Sequence, residues 1–365
     1  MARPARARFA DLSAAPHKGR GALSNASGRY EAQARDAFDD GWEREDEGAL
    51  LTASVTPETA KSIISRNDSP DISFDRTANP YRGCEHGCVY CYARPNHAYV
   101  GLSPGLDFET KLFAKTNAAA LLEEALRKPG YAPDVLMLSG VTDPYQPIEK
   151  TYQITRSLLE VLSACNHPTA IITKSALVLR DIDLLADMAR RNLVKVALSI
   201  TSLDPGLSRR LEPRATAPHR RLSAVRTLSE AGVPVSVMMA PIIPALNDHE
   251  IEALLAAVAD TGAQSAGYVL LRLPLELKDL VHEWLDQHAP HRAARVKALI
   301  RDTRGGADYQ AAFGLRQRGS GPYARQIAVR FKAALQRYGL TRPSLALDTS
   351  RFVPPSRPGD QASLL

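Results

Sequence analysis

The chain has 365 residues, 46 basic against 40 acidic side chains, a formal net charge of +6 and a 44% hydrophobic content. So large an apolar fraction excludes disorder throughout, because it buries enough surface to offset the entropy of ordering the chain; the length suits one large α/β domain or two ordinary ones. The longest apolar runs, around 233–239 and 268–271, are strand-sized and fall short of the ~18 residues of a membrane span, so no membrane partner is expected.

In chain order, residues 1–50 read as a flexible, charged N-terminal extension. Its first thirty residues carry six basic against one acidic side chain, and 31–50 carry eight acidic against two basic. The Arg-rich start shares its composition with transit peptides but reads as an ordinary basic tail, and it lacks the apolar core of a secretory signal, so the expectation is a cytoplasmic protein. The acidic block reads as solvated chain, with folding over a basic groove as the sharper alternative.

Short β-branched runs at 72–74, 135–138, 169–173, 194–200, 234–239 and 267–271 are the expected strands. They alternate with helical patterns at 117–127, 151–164, 182–191, 219–231, 248–260 and 276–288. Asn117, Asp181 and Asn247 stand where N-caps are needed, and Gly232 and Gly262 follow apparent C-termini. Six βα units imply a parallel sheet covered by helices, either doubly wound or a barrel. Polar or special residues follow almost every strand: Thr142 and Asp143, Lys174, Ser199 and Thr201, Ala240-Pro241, and Arg272. In a barrel such residues converge on one mouth, whereas an open sheet gathers only those at its switch point. The expected fold is therefore α/β, a partial (βα)6 TIM-type barrel over 51–290, with a basic helical C-terminal extension at 291–340 and an irregular tail at 341–365.

Three of the four cysteines, Cys84, Cys88 and Cys91, lie within eight residues in a C-x3-C-x2-C pattern. That spacing also describes a helical stripe, but Pro80, Gly83 and Gly87 make a regular helix improbable there, and clustered thiols point to a metal site in a reducing compartment. Two sites are open. A structural zinc ion takes four ligands, which His86 or His97 would complete. A four-iron cluster held by three cysteines keeps one iron open for a further ligand. Cys165, near the end of a helical segment, reads as a buried structural thiol.

The C-x3-C-x2-C loop after the first strand of a partial (βα)6 barrel resembles the radical S-adenosylmethionine superfamily, over most of 70–290. Runs such as Asn79-Pro80-Tyr81-Arg82-Gly83-Cys84, Thr142-Asp143-Pro144-Tyr145-Gln146-Pro147 and Glu212-Pro213-Arg214-Ala215 resemble the branch containing spore photoproduct lyase and, more closely, a group of uncharacterised bacterial radical SAM proteins. The resemblance implies a 4Fe-4S cluster on Cys84, Cys88 and Cys91. It also implies S-adenosylmethionine chelated at the open iron, a flavodoxin-, ferredoxin- or reductase-type electron donor, and a 5′-deoxyadenosyl radical that abstracts hydrogen from the substrate. Carried over by position, Tyr90 is expected near the adenine, Thr142 and Asp143 near the methionine amino group, Lys174 near its carboxylate, Ser199 near the ribose and the Ala240 backbone near the adenine. One departure stands out: the lyase carries its hydrogen-donating cysteine where this chain has Gly140, so repair by that route is doubtful, and Tyr92 or Tyr99 are the substitutes in view.

Basic residues gather at 209–226 and again at 301–337, the second stretch carrying Tyr309, Phe313 and Tyr323. They read as solvated helix faces or as a nucleic-acid surface. Glu212 and Arg214 are expected to pair or to border the cofactor. The competing readings are a zinc-stabilised, non-catalytic nucleic-acid-binding protein and a lyase-like DNA repair enzyme with another hydrogen source.

Overall fold

Strands form where β-branched and apolar residues alternate between turn residues, and helices where apolar residues recur every third or fourth position. The computed structural model describes residues 16–31 and 51–356; apart from Glu31, the acidic block of the extension lies outside the described residues. The strands are β1 (Ser54–Glu58), β2 (Ile64–Arg66), β3 (Arg76–Ala78), β4 (Tyr81–Arg82), β5 (Lys111–Lys115), β6 (Leu136–Leu138), β7 (Thr169–Thr173), β8 (Val194–Ser199), β9 (Val235–Ile242) and β10 (Ser265–Leu270). The helices are α1 (Asp107–Thr110), α2 (Ala118–Arg127), α3 (Glu149–Tyr152), α4 (Ile154–Ala164), α5 (Ile182–Arg190), α6 (Pro205–Leu211), α7 (Pro218–Glu230), α8 (Ile251–Ala259), α9 (Leu277–His288), α10 (Pro290–Asp302), α11 (Leu315–Arg318) and α12 (Gly321–Arg337).

One sheet runs β10-β9-β8-β7-β6-β3-β2. Neighbours from β3 to β10 pair parallel, and β2 closes an edge antiparallel to β3. Spatial order follows chain order without reversal, so there is no switch point of the doubly wound kind. This is the expected partial TIM-type barrel with a helical C-terminal region. Its main core is built from strand residues such as Leu136, Leu138, Val196, Leu198, Val237 and Met239 against α2, α4, α5, α7, α8 and α12. A second cluster joins Cys88, Val89 and Tyr90 to Trp284, Leu285 and Val296, so α9 and α10 back the cysteine loop. Trp284 is 1% exposed, and its truncation to alanine would cost about 3–5 kcal/mol.

Several local expectations are corrected. The first barrel strand is Arg76–Ala78, not 72–74. The Asn67 amide donates to Asp75 O (2.7 Å) and its side-chain Nδ2 to Phe74 O (3.2 Å), so 72–75 turns instead of laddering. The helix expected at 151–164 breaks at Gln153, whose φ is 51°. There the Glu149 carboxylate accepts the amides of Thr155 (3.0 Å) and Arg156 (3.3 Å) and caps α4. Asn117, Asp181 and Asn247 do stand at helix starts, but their side chains cap nothing. Asn117 exchanges two hydrogen bonds with the Ala60 backbone, Asp181 pairs with Arg156 and Arg180, and Asn247 bonds the backbone of Thr201, Pro241 and Ile243. Each solves a tertiary need that outranks a local cap.

Where it is described, the N-terminal extension packs against the rest of the chain. Residues 20–24 are buried and lie as a strap across the cysteine loop: the amides of Gly21 and Ala22 donate to Glu109 at 2.9 and 2.8 Å, and Ser24 Oγ donates to Glu283 at 2.8 Å. A Cβ on Gly21 would stand 1.9 Å from the Gly87 carbonyl, so only glycine permits this approach. The C-terminal tail is irregular, as expected, yet docked: the amides of Asp348 and Val353 donate to Asn192 O and Cys165 O, both at 2.9 Å. Among the described residues no helix is long and apolar enough to cross a membrane.

Candidate functional site

The cysteine loop leaves the barrel after β3 and returns through a small second sheet, β1-β5-β4. Pairing of Tyr81 with Ala114 and Arg82 with Phe113 clamps its two ends, and the Cys84 amide donates to Phe108 O at 2.9 Å. Inside it, the fully buried Arg94 donates to the carbonyls of Cys88 (2.8 Å), Gly105 (2.9 Å), Pro104 (3.0 Å) and Gly87 (3.2 Å) and pairs with Glu109. Gln146 reaches in from the Thr142–Pro147 run, accepting the Glu85 amide (2.9 Å) and donating to Gly83 O (3.2 Å). Beyond the loop, the Val89 amide donates to Leu211 O at 3.1 Å and the Arg214 amide to His86 O at 3.2 Å. A turn built on glycines at φ +70° and +67°, Gly83 and Gly87, holds its shape through one guanidinium and one carboxamide.

No disulfide joins these thiols: Cys84 and Cys88 are buried, Cys91 half-buried, and all are free. Burial pushes the Cys84 thiol well up; burial likewise pushes Cys88 up to about 12, against the opposing charge of Lys174. Burial thus favours the protonated form of Cys84 and Cys88, and a bound metal would displace those protons. Of the two imidazoles considered as a fourth ligand, one faces a carboxylate and the other is packed among aromatic rings with its Nε2 buried and without a hydrogen-bond partner among the described residues. His86 Nδ1 lies 3.3 Å from Asp143 Oδ2, and His97 packs its ring against Phe108 and Phe113. Among the described residues no three His, Cys, Asp or Glu side chains gather closely enough to grip a single metal ion. Three free sulfurs on one loop match the donor set of an iron-sulfur cubane that keeps one iron open. Cys165 ends α4 and precedes β7, which puts it at the opposite end of the barrel from the mouth, so it is no ligand.

The residues expected around the cofactor follow the strand ends. Asp143 is fully used: Oδ1 accepts Thr173 Oγ1 (2.6 Å) and the Tyr145 amide (2.9 Å), and Oδ2 accepts the Lys174 amide (2.8 Å) and faces His86. Burial works to raise its pKa, but His86 and these donors hold it down to about 2. Thr142 is buried, and its hydroxyl reaches only Tyr81 O, at 3.4 Å. Lys174 keeps its charge: burial opposes it, while Cys88, Glu212 and Asp143 raise its pKa. Its Nζ sits 5.7 Å from the centre of the Tyr90 ring. Tyr90 is buried with its hydroxyl donating to Glu212 and 3.0 Å from Thr201 Oγ1. Ser199 is buried and gives its carbonyl to Arg221 Nη1 (2.9 Å); the Ala240 carbonyl accepts Thr201 Oγ1 (3.2 Å).

Sequence reasoning missed the organiser of this wall. Glu212 does not pair with Arg214: Arg221, buried in α7, takes its carboxylate, whereas Arg214 pairs with Glu85 at 2.7 Å. The basic stretch at 209–226 is thus neither a solvated face nor a groove at Arg221. The same holds at Arg304, whose buried guanidinium donates to the carbonyls of Leu270, Leu271, Leu315 and Arg316. The only available signal, at Arg221, was its place beside apolar helical positions. The two tyrosines also separate. Tyr92, 48% exposed, donates its hydroxyl to the carbonyl of Gly140, the position that resemblance gives to the lyase's cysteine; Tyr99 stacks on Tyr30 of the strap at 5.4 Å.

Residues 78–258 match the Radical SAM superfamily. The chain belongs to that superfamily. This radical SAM chain is 36% identical over 232 residues to an uncharacterized protein of Mycobacterium tuberculosis, a span covering 63% of the chain and 68% of that relative. It is 26% identical over 186 residues to a protein of Pseudomonas phage M6 named Radical SAM Nalpha-GlyT isomerase, covering 50% of this chain and 36% of the phage protein. A spore photoproduct lyase mutant structure with bound AdoMet and dinucleoside spore photoproduct superposes with a TM-score of 0.54 at 15% identity, covering 78% of each chain. That likeness shows a shared fold. The superfamily implies a 4Fe-4S cluster and S-adenosylmethionine, and the three free thiols fit the cluster's donor set.

Proposed function

We propose that this radical SAM enzyme holds a 4Fe-4S cluster on Cys84, Cys88 and Cys91 and binds S-adenosylmethionine between that loop and the strand ends. Bound there, the pair supplies a reductively generated 5′-deoxyadenosyl radical for hydrogen abstraction from the substrate. The observation that carries the reading is the meeting of three free sulfurs with a charged lysine at the mouth, Lys174, whose charge interacts with both Cys88 and Cys91. Its ammonium offsets the negative charge that thiolate ligation brings and suits the cofactor carboxylate as a point charge.

Within this reading the chain's own residues divide the work. Thr142, whose hydroxyl has only one long partner, serves the methionine amino group. Asp143, with its acceptor positions filled, orients His86, Thr173 and the Lys174 backbone rather than meeting the cofactor itself. Tyr90, fixed by Glu212, forms an aromatic wall toward the adenine, with the Ser199 and Ala240 backbones lining the same side. Water is kept out from behind by the strap and by α9 and α10. A reductase or a flavodoxin- or ferredoxin-type donor supplies the electron. Because Gly140 has no thiol, hydrogen return by the lyase's route is not part of the proposal.

Anaerobic reconstitution followed by reduction with S-adenosylmethionine tests it. Iron-replete protein should release 5′-deoxyadenosine and methionine, and Lys174→Ala should weaken cofactor binding about ten-fold at unchanged iron content. Iron-replete protein that cleaves no S-adenosylmethionine refutes the reading.

A further inference from the structure

The last barrel strand delivers Arg272 to the mouth, and that guanidinium has no chemical occupation. Among the described residues it makes no hydrogen bond or ion pair, and its Nε is buried without a partner. Its one contact of note is the face of the Tyr92 ring, 5.2 Å from the guanidinium carbon. Asp71 is close enough to feel this charge, but it is committed to Arg316 and to the Gly314 amide (2.6 Å). Behind Arg272 stands the second cation, Arg304, bound only to backbone carbonyls; burial first, and then the charge of Arg272, lower its pKa to about 10. Two neighbouring guanidiniums without a carboxylate repel each other, and a buried N–H donor without an acceptor is costly. A fold keeps such an arrangement where an anion completes it.

We propose that Arg272 holds a phosphate group of the substrate over Tyr92. The proposal rests on the radical SAM reading for where the chemistry happens, but the anion site is defined by the chain alone. A planar guanidinium already lying against an aromatic ring is pre-organised for two parallel bonds to an oxyanion. Phosphate is favoured over a lone carboxylate by what adjoins the strand. A groove of about 410 Å³ lies between Ala266–Tyr268 and α12 and is lined by Arg318, Arg325 and Lys332. None of these three has a hydrogen-bond or ion-pair partner among the described residues, and Arg318 stacks over Tyr268 at 4.3 Å. The upper end of the groove, at Gly319, abuts Leu270, two residues before Arg272. Successive cations at one edge and a lone cation at the mouth suit a phosphodiester strand with one phosphate at Arg272.

The test uses the full chain, first without cluster and then reconstituted, with a fluorescein-labelled single-stranded oligonucleotide followed by anisotropy. Arg272→Gln should weaken binding about ten-fold and Arg272→Lys less, because the lysine keeps charge but loses the fork. Arg325→Gln and Lys332→Gln should each lower the salt slope by about one contact. Thermal midpoints should hold for Arg272→Lys and hold or rise for Arg272→Gln, since that side chain makes no hydrogen bond among the described residues and its charge repels Arg304. Unchanged affinity in Arg272→Gln overturns the proposal. So does a loss confined to S-adenosylmethionine binding, which would assign Arg272 to the cofactor, or displacement of the oligonucleotide by an acidic peptide as readily as by pyrophosphate. Because binding is read on the cluster-free chain, a failed reconstitution would defeat the proposed function and leave this result standing.

Discussion

Replacing Glu109 by alanine should loosen the cysteine loop and release the strap together. Its carboxylate is fully buried, accepts the amides of Gly21 and Ala22, and is the ion-pair partner of the fully buried Arg94. The substitution leaves a buried guanidinium on backbone carbonyls alone, a change that costs about 3–5 kcal/mol. Two strap amides also lose a charged acceptor. With part of the cost recovered by water entering beneath the strap, a net loss of about 4 kcal/mol corresponds to a fall of roughly 5 °C in the thermal midpoint of a chain this long. Urea unfolding gives the free energy, and hydrogen exchange at Gly21 and Ala22 reports the strap. Because Arg94 holds Cys88 O and Gly87 O, reconstituted iron content should fall as well. A loss below about 1 kcal/mol, with both amides still protected, would refute the claim that this pair fastens the loop.

Other consequences follow from single groups. Asp143, held down to about 2 from its usual 3.8, contributes stability that is complete above pH ~4 and is lost as pH falls toward 2, roughly 2 kcal/mol in all; Asp143→Asn should flatten that part of an acid titration. Glu283 has the opposite sign: burial, more than the nearby charge of Asp279, raises it to about 7. Stability should therefore decline as pH rises from about 4.5 to 7, by roughly 1–2 kcal/mol once solvent screening of this half-buried group is allowed for, and Glu283→Gln should remove the slope. Gly21→Ala should expel the strap by collision with the Gly87 carbonyl, seen as faster proteolysis between residues 16 and 31 with the barrel intact.

The barrel was legible because its information is periodic. The run Thr169–Thr173 is apolar at its centre through both faces, and Val194–Ser199 is so but for Lys195, as buried parallel strands tend to be, and the cysteine spacing survives any fold. Elements that rest on polar contacts were not legible. Arg76–Ala78 is a strand through pairing with Ile64–Arg66 and Leu136–Leu138, not through hydrophobicity. The strap around Gly21 and Ala22 has no periodic apolar pattern and is held by partners distant in sequence: Glu109 for its amides, Glu283 for Ser24 and Tyr99 for Tyr30. Glu212 likewise looked paired to its neighbour in sequence, because the competing Arg221 comes within reach only once α7 packs against β8. Local caps failed for a related reason: Asn117, Asp181 and Asn247 each found a tertiary partner worth more than a helix end.

Iron and sulfide analysis, with Mössbauer spectroscopy, of anaerobically reconstituted wild type beside the Cys84→Ala, Cys88→Ala and Cys91→Ala variants addresses the central claim most directly. The account predicts about four irons per wild-type chain, one site shifted on adding S-adenosylmethionine, and no stable cluster in any single variant. A colourless wild-type protein carrying zinc, or a cluster that persists without one of the three sulfurs, would contradict it.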